Sequence, residues 1–491
     1  MSEDILVIGA GIAGLNTALA LAPLGHRVTL LERDAPPPSG DAEHAFFDWS
    51  RRGVGHLRHS HAFLARLRSI IKEQHPALLD QLLAAGCREI RFADMLPDAL
   101  KASYAPEPGD QDMAVLTSRR TTLELVMRRY VEQLPGVSVI SEVFVRELML
   151  EPLDAGQFRV TGVRGEVGGA IQAWRAAVTI DAGGRTSQAF EQLTDAGAAV
   201  GEEWEECGIL YYTRHYRRLP DRPEPQSKAP GTGDLAFIKY GLFPGDNGCF
   251  SVTLAVPEIE TGIRQSIVRP EVFDKVCSLL PGLAPWASPD NAEPISKVFG
   301  MGDLKSRWRS FVSSEGRATL GFFAVGDSLV RTNPLYGRGC SFAAVEAQIL
   351  AGVLSQAADP GVRARLYDTR VRDELTVYYN DMRDQDRAAV RRAQRARDPD
   401  FSPNLQQRLR QSFIDDGVRI AVRSDIRVLR AAMRDFHMID PPGAWMKQPR
   451  HVAKLVGAWA RGRKRNAHLY PPPLGPDRRA MLTALGIGEA G

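Results

Sequence analysis

The chain has 491 residues, of which 44% are hydrophobic and 25% charged, with a formal net charge of +3. That is the composition of a soluble globular protein with room for a sizeable core, in one large domain or two to three smaller ones. The charge balance gives no nucleic-acid signature. The five cysteines are scattered without a CxxC pair or Cys/His ligand spacing, which fits a reduced, cytoplasmic protein with no zinc site.

The N-terminus reads as strand, turn, helix, strand. ILVIG is a short apolar strand, Gly9 to Gly14 a turn, IAGLNTALALAPLG a helix ending at Gly25, and RVTLLERD a second strand. The start is acidic rather than basic and no small-residue cleavage site follows, so the apolar stretch is expected to be neither a signal core nor a membrane span. A helix is expected from Leu57 to Gly86 and a second from Leu116 to Val131. VSVISEVFVRELML and AVTIDAGG read as strands. In the middle, GILYYTRHYRRL, DLAFIKYGLFP and CFSVTLAV are aromatic and β-branched runs parted by Pro/Gly turns, which predicts an antiparallel sheet. From about residue 361 the chain is helical and Arg-rich, with breaks at DPDFSPN and DPPGAW.

Within the first unit, Gly9, Gly11 and Gly14 form G-x-G-x-x-G between a strand and a helix, and Glu32 ends the next strand about 20 residues on. Gly9 permits the tight turn, Gly11 lets the backbone approach a pyrophosphate, and Gly14 lets helix and strand pack closely. The helix N-terminus offers free N–H groups to the diphosphate. Glu32, followed by Arg33, would accept from a ribose and disfavours a 2′-phosphate, leaving FAD or NAD.

The second element is AVGDSLVRTNPLYGRG, Ala324 to Gly339. Gly326 and Asp327 follow an apolar run, and Pro334, Gly337 and Gly339 precede a helix. Asp327 could take hydrogen bonds from ribityl hydroxyls. The two later glycines let the backbone approach a flat ring, and the helix dipole would face the ring's negative pyrimidine end. With both elements the chain resembles the flavoprotein monooxygenases of the p-hydroxybenzoate hydroxylase fold, from about residue 4 to 380. GVGHLRHSH (Gly53 to His61) is similar to an element of a subset that includes the bacterial polyether-type olefin epoxidases. LTSRRTTLELVMRR is similar to their Ser-Arg helix start, and its spacing favours Arg120 over Arg119 as the flavin contact. TIDAGGRTS, with Asp181, looks like the Asp-Gly motif. Ser328 stands where alanine is usual and Gly55-His56 where Pro-Gln is often found.

The resemblance implies an α/β fold: a Rossmann-like FAD-binding domain (1–205 and 295–380) interleaved with an antiparallel substrate sheet (206–294), plus a helical C-terminal region (381–491). It implies FAD as cofactor and insertion of one oxygen atom from O2 into a hydrophobic organic substrate, by epoxidation or hydroxylation through a C4a-hydroperoxyflavin, in natural-product biosynthesis. No charged catalytic side chain is then required. The alternatives are a flavin-dependent dehydrogenase or reductase of a prenyl or other hydrophobic substrate, and a halogenase, although the Trp-x-Trp-x-Ile-Pro signature is absent. Arg58 would contact flavin or substrate. Tyr212, Phe237 and Phe250 of the sheet would line the substrate pocket, with only one strand parity able to do so. Electrons would come from NAD(P)H or from reduced flavin of a partner reductase. His59 and His61 have no third ligand, so no metal is expected. The basic segment HVAKLVGAWARGRKRNAH is read as a solvated helix face, with contact to an anionic membrane or carrier surface as the alternative.

Overall fold

The computed structural model describes residues 2–153, 157–398 and 400–488. Apolar strands with Val and Ile at buried positions build a five-stranded parallel sheet. Its strands are β1 (Asp4–Ile8), β2 (Arg27–Leu31), β3 (Val137–Ile140), β4 (Val178–Asp181) and a late strand, Phe322–Ala324, in the spatial order Phe322–Ala324, β4, β1, β2, β3. Near-continuous apolar runs suit strands covered on both faces. Helices α1 (Ile12–Leu21), α2 (Arg120–Val131) and α3 (Gly339–Gln356) provide cover.

The second layer is a six-stranded sheet built on β5 (Ile209–Arg218), β6 (Thr232–Asp234), β7 (Lys239–Pro244) and β8 (Cys249–Pro257). Beside β5 lie Ala292–Pro294 and Phe299–Met301. Antiparallel pairing sets Tyr211 opposite Ala255 and Thr213 opposite Thr253. It also sets Lys239 opposite Ala255 and Gly241 opposite Thr253. Helix α4 (Pro360–Arg397) runs 38 residues and joins both layers. Tyr367 donates to Ala324 O, Tyr336 donates to Asp386, and Arg392 pairs with Asp234. The C-terminal region holds α5 (Leu405–Ser412) and α6 (Pro449–Arg465).

The α/β architecture, with its parallel sheet, antiparallel sheet and C-terminal helices, is the one expected. Two helices differ from expectation. The 57–86 segment is two helices, Ala65–Gln74 and Pro76–Ala84, because Pro76 lacks an N–H and forces His75 out of the helical region (φ −137°, ψ 63°). Residues 57–64 are turns and a short strand, Ala62–Phe63, which pairs with Val115–Thr117. That pairing also delays the start of α2 to Arg120. Among the described residues no helix is long and apolar enough to cross a membrane.

Candidate functional site

A cavity of about 980 Å³ runs between the two sheets, at the upper end of ligand-pocket sizes. One wall carries Gly9, Gly11, Glu32, Arg33 and Arg120, and the facing loop carries Gly326, Asp327, Pro334, Gly337 and Gly339. The two elements, more than 300 residues apart in sequence, therefore meet at one cavity.

Gly9 sits at φ +98°, where a side chain is strained, and a Cβ there would stand 2.7 Å from Ala182 O. A Cβ on Gly14 would lie 2.0 Å from Gly9 O, so Gly14 closes the helix onto the turn rather than lining the cavity. A Cβ on Gly11 would meet nothing within 4 Å; it would enter the cavity. Helix α1 starts with no side-chain cap, as does α3. Both helix starts line the cavity and leave their first N–H groups without intrahelical acceptors. The Asp327 carboxylate faces the cavity and has no hydrogen-bond donor among the described residues. Burial raises it above the usual carboxylate range against the pull of Arg331, Arg120, Arg307 and Arg185. Open space over Gly11, two uncapped helix starts and an unpartnered carboxylate are what a dinucleotide with a diphosphate and a polyol would fill. These features fit FAD.

Glu32 is already engaged. Oε2 accepts from Ala10 N at 2.7 Å and from Arg51 Nη2 at 2.9 Å, and Oε1 accepts from Asp34 N at 2.9 Å. One of its four lone-pair positions remains for a ribose hydroxyl. Arg51 is the residue that the sequence reading missed. It is buried and also donates to Glu124 at 2.9 Å. Glu124 in turn accepts from Arg120 Nε at 2.6 Å, and Arg120 Nη1 donates to His61 Nε2 at 3.1 Å. His61 Nδ1 must then carry the ring proton and donate to His59 O at 2.8 Å. Burial, then the Arg120 charge, hold His61 well below its ordinary pKa, so the ring is neutral. A buried ion-pair chain thus runs from Glu32 to the His59–His61 loop.

Other expected residues fall elsewhere. Arg58 does not line the cavity. Its guanidinium donates to the carbonyls of Phe46 (2.9 Å) and Trp49 (3.2 Å), bracing the loop that carries the histidines. Asp181 lies behind the cavity wall and accepts from Gly183 N (2.9 Å) and Ser187 Oγ (2.6 Å), shaping the turn whose Gly183 and Gly184 do line it. Arg119 turns away to Asp246, while Arg120 faces the cavity.

The substrate-pocket assignment needs correction. Tyr212, Phe237 and Phe250 are buried with Tyr216, Val252 and Leu254 in a second core on the far side of the antiparallel sheet. Strand alternation places the opposite parity toward the cavity: Tyr211, Thr213, Thr253, Ala255, Gly241 and Phe243. This face is rich in hydroxyls. His59 Nδ1 is 3.0 Å from Thr213 Oγ1, Thr213 2.7 Å from Thr253, Thr253 2.7 Å from Ser60, and Ser60 2.7 Å from Ser251. Tyr211 donates to Asn333 (2.6 Å), and Asn333 and Tyr336 both donate to Asp386 (2.7 Å each), tying the Pro334–Gly339 loop to α4. Cys340 lines the cavity, but burial pushes its thiol up to about 11, so it is not a thiolate. Among the described residues no three His, Cys, Asp or Glu side chains gather as a metal site.

Residues 4–46 match the family model described as FAD dependent oxidoreductase. The matched residues hold Gly9 and Gly11 of the first glycine element and Glu32, which line the cavity that fits FAD. Among individual proteins, the chain is similar to Protein Rv3254 of Mycobacterium tuberculosis, 28% identical over 364 residues, covering 70% of this chain and 71% of that protein. Two solved structures share the fold. One is p-nitrophenol 4-monooxygenase PnpA from Pseudomonas putida DLL-E4 (TM-score 0.56, 17% identity, 90% of this chain and 98% of that one). The other is the myxobacterial chondrochloren halogenase CndH (TM-score 0.55, 18% identity, 89% and 97%).

Proposed function

We propose that the chain is an FAD-dependent monooxygenase that inserts one oxygen atom from O2 into an organic substrate. The observation that carries this reading is the single cavity lined on one side by both dinucleotide elements and on the other by the antiparallel sheet. FAD would be held by Gly11, Glu32, Arg120, Asp327, Gly337 and Gly339, in the same cavity that Thr213, Thr253 and Phe243 line. FAD, when bound, supplies the redox and oxygen-transfer chemistry. The protein's share is to bind the dinucleotide, orient the substrate on the sheet face and limit water in the cavity. Electrons come from NAD(P)H or from a partner flavin reductase.

Hydroxylation of a hydrogen-bonding ring gains support over epoxidation of a plain alkene. The His-x-His element favours alkenes by resemblance, whereas the cavity face of the sheet carries the hydroxyls of Tyr211, Thr213 and Thr253 beside the Phe243 ring. Each of these hydroxyls already has a protein partner, and a substrate with a phenolic O–H would donate to an oxygen lone pair that remains.

The test is rapid mixing of the anaerobically reduced holoprotein with O2, followed by absorbance, alone and with panels of phenols and alkenes. A transient species before the oxidised spectrum returns, coupled to oxygenated product, is expected. Direct return with stoichiometric peroxide across both panels would overturn the monooxygenase reading in favour of a dehydrogenase or reductase. Turnover only with added halide would favour the halogenase.

A further inference from the structure

A helix on a protein surface turns its polar side to water. Two helices of the C-terminal region also turn apolar side chains to water. On α6, His451, Leu455 and Ala458 point inward, and the outward positions are Val452, Ala453, Val456, Gly457 and Ala460, all exposed. Val452 and Val456 are 38% and 45% exposed. On α5 no residue is buried, and Leu405 and Leu409, one turn apart, are 70% and 49% exposed. The π-turn that follows, Phe413–Val418, spaces Ile414 five residues after Leu409, so it extends the same stripe, 36% exposed. The two helices are packed together where Trp459 donates to Ser412 Oγ at 3.0 Å and meets Phe413 edge-on.

Along α6 and its flanks the charge has one sign, whereas Asp415 and Asp416 follow Ile414 beside α5. Residues 441–476 contain seven Lys and Arg and no Asp or Glu. Arg463 pairs with Asp416 and Lys454 with Asp425. The other five, including Arg461 and, beyond the break at Gly462 (φ 72°, ψ 169°), Lys464 and Arg465, have no carboxylate partner among the described residues. An outward apolar stripe flanked by uncompensated cations is the pattern of a helix lying in a membrane interface.

Position links this surface to the cavity. Phe436, 47% exposed, lines the cavity, and its neighbour Asp435 accepts from Gly443 N (2.7 Å) and Trp445 Nε1 (3.0 Å) in the segment leading into α6.

We propose that α5 and α6 dock this protein reversibly on an anionic phospholipid bilayer, placing the Phe436 side of the cavity where a substrate dissolved in the lipid can enter. The docking stands independently of the reaction catalysed.

The test is flotation of the holoprotein with vesicles of phosphatidylcholine alone and of phosphatidylcholine mixed with phosphatidylglycerol, at low and high salt. Flavin absorbance checks that each variant is folded. Binding to the anionic vesicles alone, weakened by salt, is expected. Arg461→Glu/Lys464→Glu/Arg465→Glu should weaken it by at least about 100-fold, given the contribution of each basic residue near such a surface. Leu405→Ser/Leu409→Ser and Val452→Ser/Val456→Ser should each reduce it at constant charge. Absence of binding, equal binding to both vesicles, or binding untouched by the variants overturns the proposal. A concentration-dependent dimer in sedimentation velocity that the Val→Ser pair dissolves would assign the face to a second copy of the chain and likewise overturn it.

Discussion

Arg51 Nη1 lies 2.9 Å from Glu124 Oε2, and the same guanidinium reaches Glu32 Oε2 at 2.9 Å. One buried cation therefore holds the carboxylate at the end of β2 and the carboxylate inside α2. Removing one partner of a buried pair leaves the other charge uncompensated, at a cost of about 3–5 kcal/mol. Arg51→Met should lower the melting temperature and the flavin content together, read by thermal denaturation and by the ratio of visible to ultraviolet absorbance. An unchanged melting temperature with full flavin would refute the role assigned to Arg51.

Gly11 and Gly14 should separate binding from folding. Gly11→Ala puts a methyl into open cavity, so the apoprotein should melt normally and bind FAD poorly. Gly14→Ala drives a methyl into Gly9 O and should lower the yield of folded protein. Titration of the apoproteins with FAD, beside their melting curves, tells the two apart. Similar behaviour in both would contradict the geometry.

Among the described residues no donor bonds the Asp327 carboxylate, so Asp327→Ala should leave apoprotein stability almost intact. Loss of hydrogen bonds to a charged acceptor, each about 1.5–3 kcal/mol, should weaken FAD binding by at least tenfold. Full flavin occupancy in the purified variant would show the assignment to be wrong.

The two faces of the antiparallel sheet should answer differently. Phe250→Ala empties part of the second core and should cost about 3–5 kcal/mol of stability. Thr253→Val keeps the volume, breaks the hydroxyl chain on the cavity face, and should raise KM or lower kcat with a melting temperature near that of the parent. Chemical denaturation and steady-state kinetics on the pair supply the comparison. A stability loss confined to Thr253→Val would invert the assignment of faces.

Acid should destabilise the fold through its buried imidazoles. Burial holds His59, His215 and His437 at about 4, below the ordinary 6.5. Between those values the unfolded chain binds protons that the folded one refuses. The stability from these groups is thus present above pH 6.5 and lost as pH falls toward 4. Three such groups give a slope of at most about 4 kcal/mol per pH unit. Glu346, whose carboxyl burial raises, acts with the opposite sign and offsets part of it. Urea midpoints at a series of pH values measure the slope, and His437→Gln should flatten it. A midpoint independent of pH across this window would mean that the imidazoles are not held neutral by burial.

Much of this was legible because it is local. A glycine pattern between a strand and a helix announces itself within 15 residues, and so does an Asp at the end of a strand. Arg51 was not legible: it is one of 62 Lys and Arg residues, in a loop with no periodicity, and its three carboxylate neighbours come from distant segments. The parity of the sheet was the other obstacle. β5 carries tyrosines on both sides, Tyr211 on one and Tyr212 and Tyr216 on the other, and both could pass for a pocket wall. Only the placement of a second core, closed by residues as far off as Met481, decides which side is interior. Arg58 shows a third cause, since a guanidinium near a ligand motif serves equally well to brace backbone carbonyls.

Helix α4 has a further meaning as a gauge. Its 38 residues touch the parallel sheet at Tyr367, the glycine loop at Asp386 and the antiparallel sheet at Arg392. Each added or lost residue would rotate everything beyond it by about 100° and shift it by about 1.5 Å. Substitutions along its exposed side leave those three anchor points in phase. A single-residue insertion between Tyr367 and Asp386 would swing Asp386 away from Tyr336 and Asn333 while leaving every amino acid of the site in place. The spacing along α4 is thus as much a part of the cavity as the side chains that line it.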